Sequence, residues 1–478
     1  MGALAPTLPG RRPPGPWAAV LALPLVAFVI PSSLVIAGPL HSNGWPGRLL
    51  VFWIAGAFAL GWIVRQRPRR TSPAEVGCWL LLLGLTFSLA AAGLRTLSDV
   101  EAAGVLRYAL VLFPLVVLAI GVASSASPRL CDALLLGIFV GAVFSSFIAV
   151  AQFVVPFSWE ELLQLPGLDA RGNHDELTRG DFFRVQGTTV HPIEFGVIAG
   201  AAVPLGLHLA RYVPSRLGRQ LATLSTLGVI GSIPLSISRS GVLVLMLAVA
   251  AYAVVLSPRQ RATALVLGMA GLLLFRAAIP GLLGTVLGAF TDAETDTSIS
   301  SRTDGIAAVT GMIEKQPILG YGLGTFRPEE YIFLDNQYLM SLVEGGLVLV
   351  AGILAWVFLA LASARGAARR GDAVAASRAQ AVFAGILAIA ASGAFFDLFS
   401  FAQVTVMLFL LVGVAGALWH DGVATGRPLP SPIARFRAGA AGLGKPVVAA
   451  GVATPAAVTP GAAGAAGEVS ALGAGRTT

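Results

Sequence analysis

Charge is scarce in this chain: 12% of its 478 residues are Asp, Glu, Lys or Arg, against 56% apolar, and the mean hydropathy is +0.81. A soluble globular domain carries about twice that charged fraction to keep its surface in water, so the composition excludes one. Lysine occurs only at Lys315 and Lys445. Cysteine is confined to Cys78 and Cys131, both near expected cytoplasmic helix ends where disulfides seldom persist, which excludes a disulfide framework. The Cys and His spacings give no structural zinc pattern. The net charge of +8 does not indicate nucleic acid, because the basic residues are scattered at the ends of apolar runs rather than gathered on one face.

What is present is a succession of long apolar runs. A span needs roughly 20 mostly apolar residues, and on that rule about twelve are expected, near 17–37, 48–64, 76–94, 104–123, 131–155, 192–210, 220–238, 241–257, 262–280, 337–361, 380–397 and 402–419. The expected fold is therefore all-α and polytopic, with an uncleaved first span after Arg11-Arg12. An even count puts both termini on one side.

Alternate connections hold Arg65, Arg67, Arg69 and Arg70, then Arg129, then Arg211, Arg216 and Arg219, then Arg259 and Arg261, then Arg365, Arg369, Arg370 and Arg378, all on the side of Arg11-Arg12. The positive-inside rule makes that side cytoplasmic. The acids Asp169, Asp175, Glu176, Asp181, Asp292, Glu294, Asp296, Glu329, Glu330 and Asp335 fall in the opposite loops. The organisation expected is a cytoplasmic tail over 1–16, a membrane domain over 17–420 with long outer loops at 156–190 and 281–336, and a cytoplasmic tail over 421–478 whose Ala, Gly, Pro and Val content predicts disorder.

Within the second outer loop, Ser301-Arg302-Thr303-Asp304 resembles a capping box, and Ile306, Val309, Met312 and Ile313 recur at helical spacing until Pro317, which predicts a short surface helix. Gly320, Gly322 and Gly324 then alternate, a pattern for tight turns or close approach to a ligand. As a phosphate loop it lacks the Lys-Ser/Thr that should follow.

Arginines at the outer ends of spans run against the positive-inside tendency: Arg184, Arg239, Arg276 and Arg302. A permanently charged guanidinium forks onto phosphate oxygens, so Arg184 and Arg239 together suit a lipid diphosphate. The plainer reading is a pairing with a nearby acid or headgroup. Asp335 is the candidate proton acceptor, provided partial burial raises its pKa, and equally a candidate N-cap for a helix starting at Gln337. Glu344, about two turns on, needs a partner or a polar cavity. His191 and Glu194 are further candidates for base or sugar contact, His191 otherwise serving as a helix-entry residue, and Asp397, among Phe395, Phe396 and Phe399, is a candidate lining residue of the same cavity.

Taken in order, Arg184-Val-Gln-Gly-Thr with His191-Pro192, Ser238-Arg239-Ser240-Gly241, Arg302 ahead of an amphipathic stretch, Gln316 to Phe326, and Asn336-Gln-Tyr-Leu with Glu344-Gly345-Gly346 resemble the O-antigen ligase and polymerase superfamily of bacterial envelope glycan enzymes. The resemblance covers roughly residues 180 to 350 and implies a GT-C-like membrane glycosyltransferase in the bacterial cytoplasmic membrane, inverting and independent of metal or other cofactor. It implies a donor glycan on undecaprenyl diphosphate, held by Arg184 and Arg239 with Arg302, and an acceptor glycan, with membrane lipids and other polysaccharide assembly proteins as partners. Ligases of that family usually have His-Asn where this chain has Asp335-Asn336, so Asp335 substitutes, or His191 does the work, or the chain is not a ligase; the change favours a polysaccharide polymerase or another glycan transferase over a lipid A core ligase. The rival readings are a transporter or flippase of lipid-linked glycans and a cell-wall polymerase that uses lipid II.

Overall fold

The computed structural model describes residues 16–38, 43–64, 71–155, 157–163, 166–170, 178–179, 182–278 and 297–425, all within one compact unit, Met1–Leu429. Its helices are α1 (Trp17–Val29), α2 (Pro46–Val64), α3 (Pro73–Gly93), α4 (Asp99–Ser125), α5 (Pro128–Val154), α6 (Trp159–Leu162), α7 (Pro192–Tyr212), α8 (Arg216–Ser232), α9 (Arg239–Tyr252), α10 (Pro258–Ala278), α11 (Thr297–Lys315), α12 (Gln337–Arg370), α13 (Ala373–Ser392) and α14 (Ala402–Ala424). Two antiparallel pairs, Leu34–Ile36 with Leu168–Ala170 and Thr178–Arg179 with Phe182–Phe183, are the strands among the described residues.

A helix stands at each expected span. Eight of them, α2 to α5, α7 and α12 to α14, are long and apolar enough to cross a hydrocarbon core, and α1 and Arg239–Val255 are shorter apolar helices. The chain is an all-α polytopic membrane protein; a twelve-span topology goes beyond what length and composition support.

Most boundaries follow from caps written in the sequence. Ser72 with Glu75, and Ser98 with Glu101, form reciprocal capping boxes at α3 and α4. Ser127, Ser215, Ser238 and Asp372 cap α5, α8, α9 and α13. The expected capping box at Ser301–Asp304 is a correction: α11 begins earlier, at Thr297, so those residues lie inside the helix. Its inner face is as expected, with Val309 buried beside Phe326, Leu334, Met340 and Val343, and Met312 and Ile313 packed on them, but Ile306 is exposed.

Small residues set the helix packing, as they do where lipid gives no hydrophobic drive between helices. A Cβ on Gly77 would meet the Trp356 backbone at 2.9 Å, and one on Gly84 the Leu349 backbone at 3.3 Å, so α3 and α12 run nearly backbone to backbone. The post of the bundle is α14, 94% buried along its apolar window against 28% for α2. It packs on α4, α12, α13, α5, α3, α7 and α1, with Phe409 against Trp356 at 4.6 Å between ring centres. At the basic end, Arg378 bonds Asp132 at 2.8 Å and His420 bonds Glu75 at 2.7 Å. α14 continues to Ala424, past the expected boundary at 420. The expected tails from 1 to 15 and from 426 to 478 lie outside the described residues, as do 281–296 of the second loop.

Candidate functional site

Residues 184–190 enter the bundle as a wedge, and the polar groups of α5 receive it. The Gln152 amide oxygen accepts from the N–H groups of Gln186 (3.2 Å) and Gly187 (2.8 Å), and its Nε2 donates to the Gly187 carbonyl (3.1 Å). Thr188 N–H donates to Ser145 Oγ (3.1 Å), and the Thr188 hydroxyl to the Phe28 carbonyl (2.5 Å). Gly187 takes φ 61°, and a Cβ there would meet Ser145 Oγ at 2.5 Å. Backbone without a helix is tolerated at such depth only when its groups are satisfied inside the protein, and the Val-Gln-Gly-Thr-Thr run supplies that. Its effect is to fix Arg184.

Arg184 lies against the connection between α8 and α9. Val185 N–H donates to the Leu235 carbonyl (3.4 Å) and Arg184 Nε to the Ser236 carbonyl (3.3 Å). Ser236 closes a single tight turn, Ile237 follows at φ 47°, ψ 42°, Ser238 caps α9, and Arg239 is its first residue. The two arginines singled out in the sequence thus sit on segments in direct contact. A Cβ on Gly196 would meet Gly241 Cα at 2.9 Å, so α7 and α9 touch within about a turn and a half of His191 and Arg239.

His191 caps α7: its Nδ1 accepts from Ile193 N–H at 3.1 Å, and its ring stands 5.9 Å from that of Phe401. Burial, then the charge of Arg184, pushes the imidazole down to about 4. A neutral ring with Nδ1 occupied carries its proton on Nε2, where it can donate a hydrogen bond. Glu194 is buried and fully engaged: Oε1 accepts from Gln403 N–H (2.9 Å) and Val404 N–H (3.2 Å), Oε2 from Val190 N–H (3.4 Å). It fastens the start of α14 to α7, and is not open to a sugar.

Asp335 is exposed, one residue ahead of the cap of α12. The cap is Asn336, which accepts from Leu339 N–H at 3.0 Å, so the N-cap reading of Asp335 is corrected by one position. Asp335 is also exposed where partial burial was expected. Next to it, Gln337 N–H donates to the carbonyls of Gly393 (2.7 Å) and Phe396 (3.2 Å), and its Oε1 accepts from Phe399 N–H (2.7 Å). Phe396 and Phe401 are 5.3 Å apart. The arginine segments, His191 and the start of α12 therefore form one continuous contact path through residues 393–401.

Glu344 belongs to a different piece of architecture. α12 is broken at Gly346 (φ 58°, ψ −161°), and residues 317–326 pass through the break as a strap. Tyr321 N–H donates to the Val343 carbonyl (2.9 Å), Gly322 N–H to Glu344 (2.7 Å), Leu347 N–H to Pro317 (2.9 Å) and Val348 N–H to Ile318 (3.2 Å). The strap replaces the helical bonds that the break removes. Glu344 Oε1 accepts from Phe326 N–H at 3.3 Å, so the carboxylate fastens the strap. The close approach permitted by the glycines is to the protein's own backbone: a Cβ on Gly322 would meet Ala92 Cβ at 2.4 Å, and one on Gly324 the Gly104 carbonyl at 2.5 Å. Arg302 lies on α11, its side chain outside the described residues, and Arg276 is exposed on α10.

Sequence reasoning weighed Asp397 lightly and missed its partners. Tyr108 Oη bonds Asp397 Oδ2 (3.3 Å) and Ser400 Oγ (2.6 Å), and Ser400 Oγ also donates to Oδ2. Oδ1 is shielded from solvent and has no hydrogen-bond partner among the described residues. Burial raises the Asp397 carboxyl above the usual range, with the Ser400 and Tyr108 bonds opposing, and Arg327 lies within electrostatic reach. The sequence signal was an acid among phenylalanines; Tyr108 and Ser400 gave none. Among the described residues no group of three or more His, Cys, Asp or Glu is arranged to hold a metal ion.

Residues 224–354 match the family described as O-antigen ligase. The match runs from α8 into α12 and takes in Arg239, Arg302, Asp335 and Glu344, while Arg184 and His191 precede it. It spans less than a third of the chain and makes the protein O-antigen ligase-like. With the apolar helices it supports a membrane function of the polysaccharide ligase or polymerase type. No curated protein matches the chain.

Proposed function

We propose that this O-antigen ligase-like chain is a glycosyltransferase of the bacterial cytoplasmic membrane that moves a glycan from a polyprenyl diphosphate to an acceptor sugar at the outer face, as a polymerase or a ligase. The observation that carries this reading is the contact between the Arg184 and Arg239 segments, beside His191 with its Nδ1 occupied. Two guanidinium groups carried on touching segments supply the charge that a departing diphosphate needs.

In the inverting step, the acceptor hydroxyl oxygen bonds to the anomeric carbon as the bond from that carbon to the phosphate oxygen breaks. The electron pair leaves with the diphosphate, on Arg184 and Arg239, with Arg302 as a further candidate. The hydroxyl proton goes to Asp335, the one assigned carboxylate left open by its surroundings. His191 donates from Nε2 to the substrate. Glu344 acts through the strap.

The test is transfer by the purified protein in detergent, with a polyprenyl-diphosphate-linked oligosaccharide as donor. Transfer without a membrane to cross excludes a flippase, and lipid II as an alternative donor separates the cell-wall reading. Arg184→Ala and Arg239→Ala are each expected to lower turnover about 100-fold or more; normally inserted variants that transfer at the wild-type rate would remove the diphosphate assignment.

A further inference from the structure

Between the strap and α12 lies an aromatic ring that the step above does not use. Tyr331 is 39% exposed, yet it is fixed at three points. One face lies on Phe326, with centroids 4.9 Å apart and planes inclined at 15°, and Phe326 is itself buried and tied to Glu344. The Tyr331 hydroxyl donates to Glu101 Oε1 at 3.3 Å. Glu101 is held in turn by Arg95 at 2.5 Å, whose Nε donates to the Tyr321 carbonyl at 2.9 Å. The backbone N–H of Tyr331 donates to the Arg327 carbonyl at 2.9 Å. With one face on Phe326 and the hydroxyl on Glu101, the face turned away from Phe326 is the part of the ring left for a ligand to cover.

Two ordinary roles fit this poorly. A core tyrosine is covered on both faces. A tyrosine anchoring a helix at the membrane surface turns its hydroxyl toward water and headgroups, whereas this one turns its hydroxyl inward and its apolar face outward. Near it in the chain stand Arg327, paired with Glu329 at 3.5 Å, Glu329 itself with a 59% exposed side chain, Glu330 bonded to Ser98, and the exposed Asp335. A rigid, electron-rich ring face among carboxylates and a guanidinium matches a pyranose, which offers polarised C–H groups on one side and hydroxyls around its edge.

We propose that Tyr331 is the stacking platform for a pyranose ring of a glycan substrate, with Arg327 and Glu329 at the ring's edge. Naming the occupant rests on the glycosyl-transfer reading. Asp335 is four residues further along the chain, at most about 14 Å away, so the platform lies within a short oligosaccharide's length of the candidate proton acceptor. The ring belongs either to the acceptor or to the donor glycan.

The full-length protein in lipid nanodiscs is mixed with oligosaccharides released by mild acid from the producing strain's own surface polysaccharide, and binding is read by saturation-transfer NMR. Wild type is expected to bind. Tyr331→Leu, which keeps apolar bulk but no ring face, weakens binding about tenfold, while Tyr331→Phe and Tyr331→Trp stay within about threefold. No saturation transfer to wild type, or equal binding by Tyr331→Leu, overturns the proposal.

Transfer kinetics then identify the source. A rise in acceptor KM larger than any fall in kcat places the acceptor on the ring, and a rise in donor KM places the donor there; two unchanged KM values overturn the proposal. A purely structural role would instead lower kcat and melting temperature, and Phe would not rescue it. Binding without any transfer by wild type would sink the transferase reading and leave the platform standing.

Discussion

At the scale of single residues, Arg184 is held on the connection between α8 and α9, through its Nε bond to the Ser236 carbonyl, two residues before the cap of the helix that Arg239 begins. Arg184→Lys keeps the charge and loses the planar fork, so its turnover is expected to fall about tenfold, between wild type and Arg184→Ala, in the detergent transfer assay. His191 gives a stability prediction. An imidazole held at about 4 when folded, against 6.5 ordinarily, binds fewer protons folded than unfolded across that interval. Its stabilising burial is complete above pH 6.5 and is lost as pH falls toward 4. The melting temperature of wild type should drop over that range, and His191→Asn, which retains a capping acceptor, should drop less; parallel curves would show that His191 does not set the dependence. The arginines, the imidazole and Asp335 were all legible in the sequence as polar residues at the ends of apolar runs. Their roles were less so, because whether Nδ1 of His191 is occupied, or Glu194 engaged, depends on backbone atoms as far away in sequence as Gln403.

At the scale of elements, the strap and the broken α12 stabilise one another. Gly322→Ala places a methyl on Ala92 at φ 115°, and Gly346→Ala places one 2.3 Å from the Ile318 carbonyl at φ 58°. No rotamer change relieves a collision with backbone, so each is expected to cost about 2–4 kcal/mol, read as a lower melting temperature in detergent. Glu344→Gln keeps one acceptor for Phe326 N–H and is expected to cost about 1 kcal/mol, whereas Glu344→Ala leaves buried N–H groups unsatisfied and costs about 2–3 kcal/mol. If Gln and Ala prove equally damaging in turnover but not in stability, Glu344 has a chemical role after all. The long helices announced themselves through apolar runs and Ser or Asp caps. The wedge at 184–190 and the threading of the strap did not, since their shapes are dictated by Gln152, Ser145, Ala92 and Gly104 on other helices, and a glycine pattern says only that something comes close.

At the scale of the whole molecule, orientation rests on the segregation of Arg from Asp and Glu between the two sets of loops, and it can be checked chemically. Cys78 and Cys131 are 1% and 0% exposed, so neither should react with a membrane-impermeant maleimide while the protein is folded. Phe333→Cys, on the acidic side and 79% exposed, is expected to react in intact spheroplasts; Val374→Cys, on the Arg-rich side and 46% exposed, only after permeabilisation. The reverse pattern would invert the topology and move the arginine pair to the cytoplasm.

The most deeply buried of the eight candidate spans, α14, follows every other described helix in the chain. Chains are made from the N-terminus, so during biogenesis the described helices that precede it wait in the bilayer around an unfilled axis, with Glu194 and Gln337 lacking the partners that residues 393–404 will bring. A truncation before Ala402 would remove the centre of the described bundle rather than its edge, and should yield rapidly degraded chains rather than partly working ones.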